Sequence, residues 1–251
     1  MNRSQSFWTI VFFSCLVFWP RPAMAMHLSE GILPVGWAAF WFVIAAPFVA
    51  WGLRSVQIRR ETDPQSMPMI ALVGAAIFVI SCMPVLIPWI GSCSHPCGTG
   101  LGSLLIGPGP TIVVASIALL IQALFLAHGG LTTLGADIVS MGVVGALSAY
   151  GAFRLLRAIK VPVFAAAMAA GMLSDWATYA VTSLQLASAL HGDGAMGGMF
   201  LAIAAAFIPT QLPLGIAEGV VTAVAYRFVL IRRPDLLGVR PTPQPVAEMH
   251  Q

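Results

Sequence analysis

The chain has 251 residues, of which 59% are hydrophobic and 8% charged, and its formal net charge is +3. That share of charge is about a third of what a soluble domain carries on its surface, which excludes a water-soluble globular protein and makes lipid the solvent for most of the chain. The basic residues stand in short clusters between apolar stretches, which excludes a nucleic-acid-binding face and describes a membrane topology instead.

Asn2 and Arg3 open the chain, residues 7–18 form a compact apolar run, Pro20 breaks it, and Ala23-Met24-Ala25 follows. This is the pattern of a secretory leader with an A-x-A cleavage site, and the apolar run is short against the ~20 residues of a full span. Residues 1–25 are therefore expected to be a cleaved signal peptide, leaving a mature chain that begins Met26-His27-Leu28-Ser29-Glu30-Gly31. A histidine second from a free terminus is a chelator. The α-amine, the amide nitrogen of His27 and the His27 imidazole close fused rings around one ion. An all-nitrogen set of this kind favours square-planar Ni(II), Cu(II) or low-spin Co(II), and metal competes with the amine proton near neutral pH.

Apolar runs bounded by charges or turn signals then predict spans at 35–53, 70–89, 134–156, 161–184 and 198–231, with a continuous apolar stretch over 96–127. Six simple crossings would put the cluster Arg154, Arg157, Lys160 and the end of the chain on the side opposite Arg54, Arg59 and Arg60. Seven bring every basic cluster to one side, as the positive-inside rule requires. The extra crossing falls at Gly107-Pro108-Gly109-Pro110, a strong breaker. It divides the stretch into a short helix at 98–106 and a longer one at 111–127. A helix so short is tolerated at membrane depth only inside protein or a watery cavity. The expected fold is an all-α polytopic membrane bundle of about seven crossings, one of them short and broken. Residues 26–231 form one transmembrane domain, followed by a disordered cytoplasmic tail at 232–251 with four prolines.

Under this topology the mature amino terminus and the loops holding His95, His128 and His191 face outward in the cell membrane, and the carboxyl terminus is cytoplasmic. The first of these loops reads Gly91-Ser92-Cys93-Ser94-His95-Pro96-Cys97-Gly98-Thr99-Gly100. His95 either adds a fourth nitrogen to a metal held by Met26 and His27 or hydrogen-bonds loop carbonyls. Cys93 and Cys97 either ligate a soft metal, pair in an oxidising compartment, or serve as small buried residues; with Cys15 and Cys82 they make no zinc-finger spacing. His128, in His128-Gly129-Gly130-Leu131-Thr132-Thr133, either orients a ligand by hydrogen bond or caps its loop. Asp137, Asp175 and Glu218 are acidic residues within or beside spans, where an unpaired charge is costly. Asp175 either bonds to the site or holds packed helices together. Glu218 follows the proline-rich Pro209-Thr210-Gln211-Leu212-Pro213 and is placed to cap the helix resuming there, and Glu30 is placed to buttress the terminus. Phosphate-loop, H-E-x-x-H and G-x-S-x-G signatures are absent, so energy for transport must come from partners or a gradient.

These motifs together resemble the CbiM-type cobalt-uptake family, the substrate-capture component of energy-coupling-factor transporters. The likeness is carried by Met26-His27-x-x-Glu30-Gly31-x-Leu33-Pro34, by residues 91–102, by His128-Gly129-Gly130-Leu131-Thr132-Thr133-Leu134-Gly135-Ala136, and by Gln211-x-Pro213-Leu214-x-Ile216-Ala217-Glu218-Gly219. The resemblance implies a metal site of Met26, His27 and His95 for Co(II), with Ni(II) as the alternative cargo, and no organic cofactor. It implies as partners a transmembrane coupling subunit, two cytoplasmic ATPase subunits and a small accessory membrane protein, and a link to cobalamin synthesis. Two departures stand out: Cys97, where the family commonly has threonine, and the leader peptide ahead of Met26. A membrane metalloenzyme using His95 and His128, and a stand-alone secondary carrier, are the competing readings.

Overall fold

The computed structural model describes residues 28–83, 85–87 and 92–237, with the backbone pairing alone at 85–87 and 92–94. Six long helical segments and one short helix carry the chain back and forth.

The first helix, α1 (Val35–Thr62), presents a very narrow buried stripe of Ala38, Ala45 and Gly52, one residue every seven, and its last turn carries Arg59 and Arg60. Trp41, Ile44, Phe48 and Val49 pack partly against the core beside this stripe, and small residues at the seam allow close approach to a neighbour. A 3-10 turn (Pro64–Ser66) leads into α2 (Met67–Ser81), which buries Ile70, Val73, Ile77 and Ser81. An antiparallel hairpin follows, β1 (Val85–Ile87) with β2 (Ser92–Ser94), in the register Val85 to Ser94 and Ile87 to Ser92. It occupies the end of what the sequence suggested was a longer span.

The broken crossing is present. Helix α3 (Thr99–Ile106) has eight residues, and Gly107 separates it from α4 (Pro108–Phe125), which starts on a proline whose missing N–H costs nothing in the first turn. Thr99, Gly100, Gly102, Ser103 and Ile106 are all buried, so α3 is sheathed by protein as its length demands. At its far end the Arg59 guanidinium donates to the Ile106 carbonyl at 2.8 Å, and α3 also touches the 3-10 turn Pro234–Leu237. The basic end of the first helix and the turn after the last helix therefore both contact α3.

The fourth long segment is composite. A single turn, α5 (Leu134–Asp137), runs into eight residues of π-helix (Ile138–Gly145) and then α6 (Ala146–Ala158). Wider π turns change which backbone groups face inward, and they recur at functional sites. Here the Ser140 carbonyl accepts from the Thr178 hydroxyl at 3.3 Å. Helix α7 (Val163–Leu190) is the polar centre of the fold and buries Ser174, Asp175, Thr178, Ser183, Gln185 and Ser188. Helix α8 (Met196–Arg232) packs along α7 over most of its length. The two approach closely at Gly171 and Gly219: a Cβ on Gly171 would stand 2.9 Å from the Gly219 Cα.

Glu218 differs in its role from the sequence expectation. Helix α8 runs unbroken through Pro209 and Pro213, so no helix resumes there to be capped. Five helical segments are long and apolar enough to cross a membrane by length and composition; α7 is long but too polar, and α3 too short. Residues 234–237 of the expected tail form a 3-10 turn, and 238–251 lie outside the described residues, as does the leader.

Candidate metal-capture site

The segment that follows His27 is sewn to the loop before α5. The Leu28 amide donates to Asp137 at 3.2 Å, and the Thr133 hydroxyl donates to the Leu28 carbonyl. One residue pair further on, the Gly31 amide donates to the Thr132 hydroxyl, and the Thr132 amide donates to both oxygens of the Glu30 carboxylate at 3.2 and 3.3 Å. The Thr132 bonds hold the Glu30 carboxyl below the usual carboxylate range. Glu30, which the sequence placed to buttress the terminus, is bonded to the 130–133 loop. Contact is so close that a Cβ on Gly130 would lie 2.5 Å from the Glu30 Cα and 2.8 Å from its backbone nitrogen. Gly130→Ala must displace the segment bearing the terminus, at a cost of about 1–3 kcal/mol. We expect it to weaken metal binding about tenfold, read by metal titration of the purified protein alongside its melting curve.

His95 is buried against α7 and the π-helix, with 2% of its surface exposed. Tyr179 clamps its backbone: the His95 amide donates to the Tyr179 hydroxyl at 3.3 Å, and that hydroxyl lies 3.2 Å from the His95 carbonyl. The ring is fixed by a bond between Nδ1 and the Pro96 carbonyl at 2.9 Å. A carbonyl accepts only, so Nδ1 carries the proton and Nε2 the lone pair, which is how a metal-ligating histidine is oriented in general. Burial, and secondarily the neighbouring His128, push the imidazole down to a pKa of about 4. His95 is therefore neutral at physiological pH, the form that binds metal. The same shift predicts a stability slope. The unfolded chain takes up this proton near 6.5 and the folded chain near 4, so stability is lost as pH falls between those values. Melting curves across that range should flatten in His95→Gln.

His95 and Asp137 line one small cavity with Ser140, Met141, Thr178, Tyr179 and Thr182. Asp137 in turn holds the amide directly after His27. His128 is half-buried, and its ring centroid is 5.7 Å from that of His95. The structure thus brings His95, His128, Asp137 and the root of the terminus together. Met26, His27 and the Cys93 side chain lie outside the described residues.

Cys97, Asp175 and Glu218 form a separate group. Glu218 accepts from the Cys97 amide at 2.7 Å and the Gly98 amide at 2.8 Å, so it caps the entry to α3 across the bundle. Cys97 is a free, fully buried thiol 3.8 Å from an Asp175 oxygen. Sequence reasoning marked Asp175 and Cys97 but did not bring Glu218 to them, because Cys97 and Glu218 are 121 positions apart and the three residues lie on different elements.

A bundle of long apolar helices gathered around a buried polar centre defines a multi-pass membrane protein. The family model described as "Cobalt uptake substrate-specific transmembrane region", CbiM, matches residues 27–236. The chain belongs to this family, and it is a transport component, not an enzyme. It is 57% identical over 212 residues to the cobalt transport protein CbiM of Sorangium cellulosum, covering 84% of this chain and 94% of that one. It is 53% identical over 217 residues to the CbiM of Geobacter sulfurreducens, covering 86% of this chain and 63% of that relative's length. A solved structure described as a truncated transition metal transporter shares the fold, with a TM-score of 0.71 at 24% identity over 82% of this chain and 99% of that one.

Proposed function

We propose that the protein captures Co(II) outside the cell at a site formed by the Met26 amine, the His27 amide and imidazole, and His95 Nε2. The supporting observation is the cavity shared by His95 and Asp137, with Asp137 bonded to the amide that follows His27. The tether of Leu28 to Asp137 supports this reading, because Asp137 shares its cavity with the buried imidazole of His95. Removal of residues 1–25 generates the amine. Ni(II) fits the same nitrogen set and is the alternative cargo. Cys93, His128, Asp175 and Glu30 shape or orient the site and are not counted among its ligands.

The basic face, with Arg59 and Arg233, is the cytoplasmic one. Energy comes from ATP hydrolysed by two cytoplasmic subunits, passed on through a transmembrane coupling subunit, with a small accessory membrane protein completing an importer that feeds cobalamin synthesis. A shallow apolar groove between α2 and α4, lined by Ala71, Gly74, Ala75 and Val114, gives a smooth surface for the coupling subunit. Uptake of radioactive cobalt by cells expressing the chain with and without those ATPase subunits tests this reading. Uptake only in their presence is expected. Uptake that persists without them would show a self-sufficient carrier instead.

A further inference from the structure

Cys97, Asp175 and Glu218 each offer a ligand atom, and these atoms lie within 4.8 Å of one another. All three are buried, with 0%, 0% and 5% of their surfaces exposed. Glu218 spends its oxygens on backbone amides, but the Asp175 Oδ2 is enclosed with no hydrogen-bond partner. Among the described residues the recorded ion pair is Arg233–Asp235, on the surface, so no cationic side chain balances these two carboxyls. Buried carboxylates without a counter-charge are expensive, and an enclosed acceptor without a donor adds to the cost. A divalent cation placed between the three groups answers both demands.

We propose that Cys97, Asp175 and Glu218 form a second metal site, distinct from the outer nitrogen site, for a borderline-to-soft divalent cation such as Co(II), Zn(II) or Cd(II). One thiolate with two carboxylates gives three protein ligands and leaves a coordination position open, an arrangement for holding and releasing an ion rather than a closed structural centre. Binding exchanges the thiol proton for the metal: Cys97–SH and M(II) give Cys97–S–M and one released proton. The place is also informative. Asp175 stands four residues before Tyr179 on α7, about 6 Å deeper in the bundle than the clamp on His95. Cys97 is two residues beyond His95. Given the capture reading, on which this last step rests, the second site is where an ion leaving the outer nitrogen ligands comes to rest. That the site binds metal does not depend on it.

The test is cobalt titration of the purified full chain in detergent, followed by the near-ultraviolet thiolate-to-cobalt charge-transfer band, assigned to Cys97 by its loss in Cys97→Ser. The band is expected in the parent protein and in His95→Gln, and is expected to vanish in Cys97→Ser. Asp175→Asn, which keeps the side-chain shape, is expected to weaken the affinity read from this band by about tenfold or more. Absence of the band in the parent protein overturns the proposal, as does its survival in Cys97→Ser, its loss in His95→Gln, or an unchanged affinity in Asp175→Asn. The outer site fails separately: if His95→Gln leaves the band-silent cobalt affinity intact, the capture reading falls and the second site stands.

Discussion

His95→Gln lowers cobalt affinity at the outer site by roughly 100-fold or more, equivalent to about 2.7 kcal/mol. The size follows from what is lost. Orienting partners of ligands alone are worth about 10–100-fold in metal affinity, and His95 is a ligand in this account, held neutral by burial and aimed by the Pro96 carbonyl. Glutamine retains the backbone clamp to Tyr179, since both of those bonds use the main chain of residue 95. A fall in affinity without a fall in melting temperature would thus report coordination and not folding. His128→Gln serves as the internal comparison. Its ring lies near that of His95 but outside the proposed ligand set, so it is expected to cost about tenfold or less. Equal losses at the two positions would show that the assignment is mistaken. Isothermal titration of both variants reads the difference.

Glu218→Ala has the largest expected effect on the fold. It strips the acceptor from two buried amides, Cys97 and Gly98, at the entry to α3. An enclosed donor without a partner costs about 1–3 kcal/mol, so the pair amounts to roughly 2–6 kcal/mol and a fall in melting midpoint of roughly 5–15 °C. Glu218→Gln keeps an acceptor oxygen for one amide and is expected to lose about half as much. Because Cys97 and Gly98 lie just past His95, the alanine variant should also weaken cobalt capture. A variant as stable as the parent would mean that water or another group satisfies these amides.

Much of this architecture could be read from the chain. The start of α1, the short α3 and the break at Gly107 follow from apolar run length, proline chemistry and charge counting, because lipid leaves the backbone few alternatives. The seven-crossing topology needed one further step, the positive-inside rule applied to Arg154, Arg157 and Lys160. Other features were not legible. The π-helix over Ile138–Gly145 has no hydrophobic period of its own; it arises where the segment packs on α7 and α4. The 85–94 hairpin replaces the end of an apolar run that composition alone could not divide. Glu218 was expected to cap a helix resuming after Pro213, but prolines that break soluble helices are absorbed inside α8, and Glu218 instead accepts from the Cys97 and Gly98 amides.

The metal site shows the same division. His95 stands out in a loop of small residues, and its partner residues are set by the fold. The tie from the Leu28 amide to Asp137 spans 109 positions and has no local signature. Glu30, by contrast, was singled out by proximity to the terminus alone, and it bonds the loop around His128 that the sequence had also singled out.

Native mass spectrometry of the purified, cobalt-loaded protein addresses the central claim most directly. The account predicts a polypeptide mass beginning at Met26, carrying cobalt that is lost when the α-amine is acetylated or a short extension precedes Met26. A protein that retains residues 1–25, or one that holds cobalt as firmly with its terminus blocked, would contradict it.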